Sequence, residues 1–198
     1  DVPAAGHHLV DPVARREQRG SEPDDLVASA RCRTEREVGR QLGGQHETPT
    51  EGVDRSKAGQ PVTEAALSDA DGESASLASA TGEPLLVNLW ATWCAPCVVE
   101  MPSLEALAAR EGESLLVLAL SQDFGGRQKV TEFFRRHRFA ELEPFLDGNM
   151  AFMTALRIDT LPTTILYNAQ GEEVWRMTGL ADWESERAAR LLVEAEAG

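Results

Sequence analysis

Positive charge is in short supply. Nineteen Lys and Arg stand against thirty-three Asp and Glu, a formal net charge of −14, and a field of that sign repels phosphate backbones and anionic lipid headgroups. Nucleic acid is therefore excluded as an expected partner. Long apolar runs are absent too: no stretch approaches the roughly 18 to 20 residues needed to cross a bilayer. The chain starts at Asp1 with no apolar segment behind a basic start, so any export signal or membrane anchor is expected to lie outside it. The first 60 residues contain no aromatic residue and few aliphatics, which denies them a core of their own.

What is present falls into two parts. Residues 1–60 read as an N-terminal extension rich in Arg, Glu, Gly, Gln, Pro and Ser, with one marginal helix over 24–42 that Gly43-Gly44 ends and a linker over 45–60. From residue 61 to 198 apolar runs alternate with helical patterns, the texture of an α/β domain. A small hairpin is expected from 65–68 and 73–76 around Asp71-Gly72, and buried strands from Leu85–Trp90 (LLVNLW) and Leu115–Ser121 (LLVLALS). Helices are predicted over 94–110, 127–138, 150–156 and 183–195, and further strands over 163–167 and 173–177. That order implies a central sheet mixing parallel and antiparallel strands, flanked by helices on both faces.

Cys94-Ala95-Pro96-Cys97 falls directly after a buried strand, at the start of a helix. Free N–H groups and the positive end of the helix dipole favour a thiolate there, lowering the pKa of the first cysteine below its ordinary value of about 8.5. Cys94 is thus the expected nucleophile. Cys97, one turn further in, is the expected resolving thiol, close enough to attack a mixed disulfide from within. Pro96 occupies the first turn, where a missing N–H costs little.

The same spacing also makes half of a zinc site, but Cys32 is the one further cysteine and none of His7, His8, His46 and His137 is paired with it at metal-ligand spacing. No metal and no cofactor is expected at the site, although two thiolates could also hold one soft ion such as Cu(I).

The run Trp90-Ala91-Thr92-Trp93-Cys94-Ala95-Pro96-Cys97, followed by Glu100-Met101-Pro102, resembles the active-site segment of the TlpA/ResA branch of thioredoxin-like proteins. The likeness runs from about Val62 to the C-terminus and includes Leu161-Pro162-Thr163-Thr164 and Gly179. Ala119-Leu120-Ser121-Gln122-Asp123 with Gly125-Gly126 is nearer TlpA than ResA. The resemblance implies a thioredoxin-like fold, a cis Leu161–Pro162 bond facing the dithiol, and a substrate groove formed by Trp93, Pro96, Leu161 and Pro162. It places Glu100 on the same helical face as Cys97, as a carboxylate that tunes the thiols or takes the proton of Cys97. Asn88 stands where cytoplasmic thioredoxins carry a buried aspartate, and an amide cannot take that proton.

Two departures accompany this likeness. Val98-Val99 replaces the polar or basic pair common after the second cysteine, and Cys32 resembles the first half of a structural disulfide whose partner is missing. The implied activity is that of a thiol:disulfide oxidoreductase in the periplasm, reducing selected protein disulfides. The expected clients are an apocytochrome, or a copper chaperone or oxidase subunit, and the expected electron source is a membrane dithiol carrier. A Cu(I)-binding metallochaperone and a disulfide-donating oxidase remain open as alternatives.

Overall fold

The computed structural model describes residues 52–80 and 82–196. Strands β1 (Val53–Asp54), β2 (Leu67–Ser68), β3 (Ser74–Ala75) and β4 (Leu85–Trp90) precede helix α1 (Ala95–Glu111). Then come β5 (Leu116–Ser121), α2 (Arg127–His137), β6 (Glu143–Leu146), α3 (Ala151–Ala155), β7 (Thr163–Tyr167), β8 (Glu173–Thr178) and α4 (Glu186–Leu192). All eight strands join one sheet in the order β1-β8-β7-β4-β5-β6-β2-β3. Strands β4, β5 and β6 are mutually parallel, while β7 runs antiparallel beside β4 and β8 antiparallel beside β7.

Period-two alternation assigns the two faces. On β4, Leu86 and Trp90 pack with α1, α2 and α4, whereas Leu85, Val87 and Leu89 pack with Leu77, Phe145 and Phe152 on the opposite face. On β5, Val117 and Ala119 take the first face and Leu116, Leu118 and Leu120 the second. The central strands are buried on both sides, which is why they read as continuous apolar runs. Asn88 falls between Leu86 and Trp90 on the α1 face, and this phase turns it toward the active-site helix.

Most elements match the sequence pattern, and the exceptions have local causes. Val53 and Asp54, inside the stretch read as linker, pair with Met177 and Arg176 of β8. The chain stays on the sheet beyond them, since Gly59 N–H donates to the Glu173 carbonyl and Val62 N–H to that of Gly171. The sequence pattern marks no strand over Glu143–Leu146, where Pro144 has no N–H to give a ladder. The proline is tolerated because β2 pairs with β6 at Leu146 alone, leaving the rest of that side an edge.

The C-terminal helix starts at Glu186 rather than at Trp183, because the Ser185 hydroxyl accepts the Ala188 N–H and caps it. Trp183 is freed to turn inward. Cys32 and the helix read over 24–42 lie outside the described residues.

Candidate active site

The dithiol sits where β4 passes into α1. Cys94 is the N-cap residue of α1, with extended backbone, and its sulfur accepts the Cys97 N–H at 3.4 Å. Cys94 and Cys97 are joined in a disulfide, with Cα atoms 5.3 Å apart. Pro96, exposed in the first turn, contributes no N–H, so the cradle of donors around the Cys94 sulfur is thinner than a helix start usually offers.

One turn beyond Cys97, Glu100 is enclosed. Its Oε1 accepts from the Trp183 indole Nε1–H and, at 3.4 Å, from the Asn88 amide, which in turn donates to Thr164 Oγ1 at 2.9 Å. Its other oxygen, Oε2, is buried without a hydrogen-bond partner. Loss of water dominates and pushes the carboxyl pKa up to about 7, against the opposing pull of the Trp183 indole and the Ala181 backbone. A carboxyl group poised there can hold or release a proton at neutral pH. Asn88 thus takes no proton itself and positions the group that can.

A second carboxylate, Asp123, holds the loop before the dithiol. Its oxygens accept the Thr92 N–H at 2.8 Å, the Thr92 hydroxyl at 2.7 Å and the Ser121 hydroxyl at 2.9 Å. The parallel ladder of β4 and β5 continues through Gln122 N–H to the Trp90 carbonyl at 2.8 Å, which brings Asp123 beside Thr92. Sequence reasoning assigned this residue no role. The available signal was a short polar acid directly after a buried strand that runs parallel to the one feeding the dithiol. Asp123→Ala would leave one N–H and two hydroxyls without their acceptor, at a cost of about 3 kcal/mol. Urea unfolding of the oxidised protein checks this, and a loss below about 1 kcal/mol would show that the loop is held by other contacts.

The groove candidates are placed as follows. The Leu161–Pro162 bond is cis, and Pro162 directly precedes the β7 residue that pairs with Leu89, at the end of β4 where the loop to Cys94 begins. Its carbonyl accepts Gly179 N–H at 2.8 Å. Leu161 is half-buried, and Trp93 projects into solvent. Trp90 is a core residue, packed against the Phe133 and Phe134 rings. Val98 is half-buried and Val99 exposed. Among the described residues, no group of three or more His, Cys, Asp or Glu could hold a metal ion.

A mixed sheet of this topology with a disulfide at the N-cap of its central helix defines a thioredoxin-fold thiol–disulfide oxidoreductase. Residues 57–192 match the Redoxin family, and the chain belongs to it. The thiol-disulfide oxidoreductase ResA of Halalkalibacterium halodurans is 33% identical over 129 residues, covering 64% of this chain and 73% of ResA. The thioredoxin-like protein YneN of Bacillus subtilis is 32% identical over 117 residues, covering 57% of this chain and 66% of YneN. The solved structure of a thiol-disulfide oxidoreductase from Bacteroides vulgatus, 27% identical, aligns with a TM-score of 0.61 over 70% of this chain and 96% of its own.

Proposed function

We infer that this oxidoreductase works as a reductase of selected protein disulfides in the periplasm, with Cys94 as nucleophile, Cys97 as resolving thiol and Glu100 as the proton acceptor. The Cys94 thiolate attacks one sulfur of a client disulfide; a mixed disulfide forms and the second client sulfur leaves as a thiolate. Cys97 gives its proton to Glu100 and attacks the Cys94 sulfur. The Cys94–Cys97 disulfide forms, the first client sulfur is released, and two electrons have passed to the client. Trp93, Pro96, Leu161 and Pro162 line the groove that receives the client. The working domain starts with β1 (Val53–Asp54), so the extension read over residues 1–60 ends before Val53.

The observation that carries the direction of flow is the sparse stabilisation of Cys94. Strong disulfide donors owe their power to a stabilised reduced form. In the disulfide form the Cys94 sulfur accepts one backbone N–H, from Cys97, and Pro96 has none to offer a thiolate there. The buried Glu100 lies on the next turn of the same helix, and its negative form opposes a thiolate. A dithiol so placed keeps its reducing power.

The resemblance to the TlpA/ResA branch supports clients of the apocytochrome or copper-site type and a membrane dithiol as electron donor. No helix among the described residues is long and apolar enough to cross a membrane.

The deciding measurement is the reduction potential of the Cys94–Cys97 pair, equilibrated against glutathione and read by Trp fluorescence. A value at or below roughly −200 mV is expected; one near roughly −120 mV would make the protein a disulfide donor instead.

A further inference from the structure

Large apolar side chains that stand mostly in water are few among the described residues: Trp93, Val99, Phe124, Leu180 and Val193. Four of these five belong to segments that frame the dithiol. Trp93 precedes Cys94, and Val99 lies two residues beyond Cys97. Leu180 follows Gly179, whose N–H is bonded to the Pro162 carbonyl. Phe124 follows Asp123, whose carboxylate holds Thr92.

Phe124 is the one whose placement the backbone specifies most tightly. Trp93 and Phe124 are the residues that come next after the bonded pair Thr92 and Asp123, so both leave the parallel strands β4 and β5 at their carboxyl ends, the side where ligands of such sheets bind. They are 67% and 68% exposed. The chain then turns back at once: Gly125 has φ of 57°, and a Cβ on Gly126 would come within 2.5 Å of Asp123 Cβ. Two glycines and a fully bonded aspartate thus hold a tight loop whose tip is a phenyl ring with no place in either core cluster. An aromatic ring standing in solvent on a braced loop, at the same carboxyl ends of the strands from which the chain runs to the dithiol, has the character of a contact residue.

We propose that Phe124 is a specificity-determining contact for the protein substrate, receiving an apolar side chain that neighbours the client cysteine bonded to Cys94. The proposal rests on the dithiol reading above. The occupant is an extended, disulfide-bearing client segment, because a client sulfur joined to Cys94 fixes where its chain must run. At about 3.3 Å per residue, side chains within a few positions of that cysteine run past the carboxyl ends of β4 and β5, from which Trp93 and Phe124 both leave. Clients with apolar or aromatic residues there are favoured over those with charged ones.

The test compares the wild-type protein with Phe124→Ser and Phe124→Leu, each fully reduced with dithiothreitol and freed of it. Second-order rates of exchange are measured with three oxidants: a disulfide peptide with Leu and Phe beside its cysteine, the same peptide with Asp and Ser there, and glutathione disulfide. Phe124→Ser is expected to slow the apolar peptide about tenfold and to leave the other two within twofold, while Phe124→Leu recovers most of the loss.

Equal slowing of all three oxidants, or no slowing of any, would overturn the proposal and leave the dithiol reading intact. A shift of the reduced wild type from dimer to monomer on Phe124→Ser, with unchanged peptide rates, would overturn it in favour of self-association. A wild-type protein inert toward all three oxidants would overturn the dithiol reading and the proposal together.

Discussion

Cys97→Ser is expected to stop turnover and to leave the protein covalently joined to its clients through Cys94. The reason is geometric. The Cys97 sulfur is within bonding reach of Cys94 in the folded protein, so its attack on a mixed disulfide is intramolecular and carries the rate advantage of a preoriented pair. Serine fills the position without the sulfur, and release of the client must await an outside thiol, slowing turnover by at least about a hundredfold. The opposite variant, Cys94→Ser, is expected to trap little. Cys97 is 1% exposed against 6% for Cys94, and it lies inside the first turn of α1, where a client sulfur cannot approach it. Non-reducing electrophoresis and mass spectrometry of complexes formed with a disulfide-bearing protein read both outcomes. Equal trapping by the two variants would undo the assignment of nucleophile and resolver.

The same burial explains which parts of the molecule were legible in the sequence. Strands β4 and β5 declare themselves as nearly continuous apolar runs, β7 and β8 because they flank the Gln170-Gly171 turn, and α1 because Pro96 and a helical pattern start at the dithiol. Strand β6 hides behind Pro144, and β1 is two residues long with a charged member; both exist because a neighbouring strand accepts them. The polar contacts around the dithiol were harder still. Trp183 reaches Glu100 across 83 residues of sequence and Asp123 reaches Thr92 across 31, so no local pattern announces either pairing. Trp183 was read as the first residue of a helix. It is a buried donor whose indole fixes one oxygen of Glu100 and leaves the other bare. The phase of β4 did carry information, since LLVNLW puts Asn88 on the same face as Leu86 and Trp90, but what that face would meet is decided by the fold.

Glu100 supplies the second large expectation, and its sign follows from burial. In the unfolded chain the carboxyl titrates near its model value of 4.5, whereas in the folded protein it is raised to about 7. Below the unfolded value both states are protonated and burial costs no charge. As the pH rises, the unfolded chain ionises first and gains hydration that the folded protein cannot match, so stability present in acid is lost progressively up to the folded value. The loss between pH 5 and pH 8 is about 2 to 3 kcal/mol for this group.

Glu100→Gln keeps the size of the side chain and an acceptor for the Trp183 indole, but it cannot ionise, and that slope is expected to vanish. Urea unfolding of the oxidised proteins at pH 5 and pH 8 makes the comparison cleanly, because disulfide-bonded Cys94 and Cys97 do not titrate. Parallel stability profiles for wild type and variant would show that burial does not raise the Glu100 carboxyl above its unfolded value.

The same proton bears on turnover. If Glu100 takes the proton of Cys97, the rate of client release from a preformed mixed disulfide should rise with an inflection near pH 7 in the wild type and lose that inflection in Glu100→Gln. A carboxylate that merely packed beneath the helix would alter stability and leave the inflection where it was.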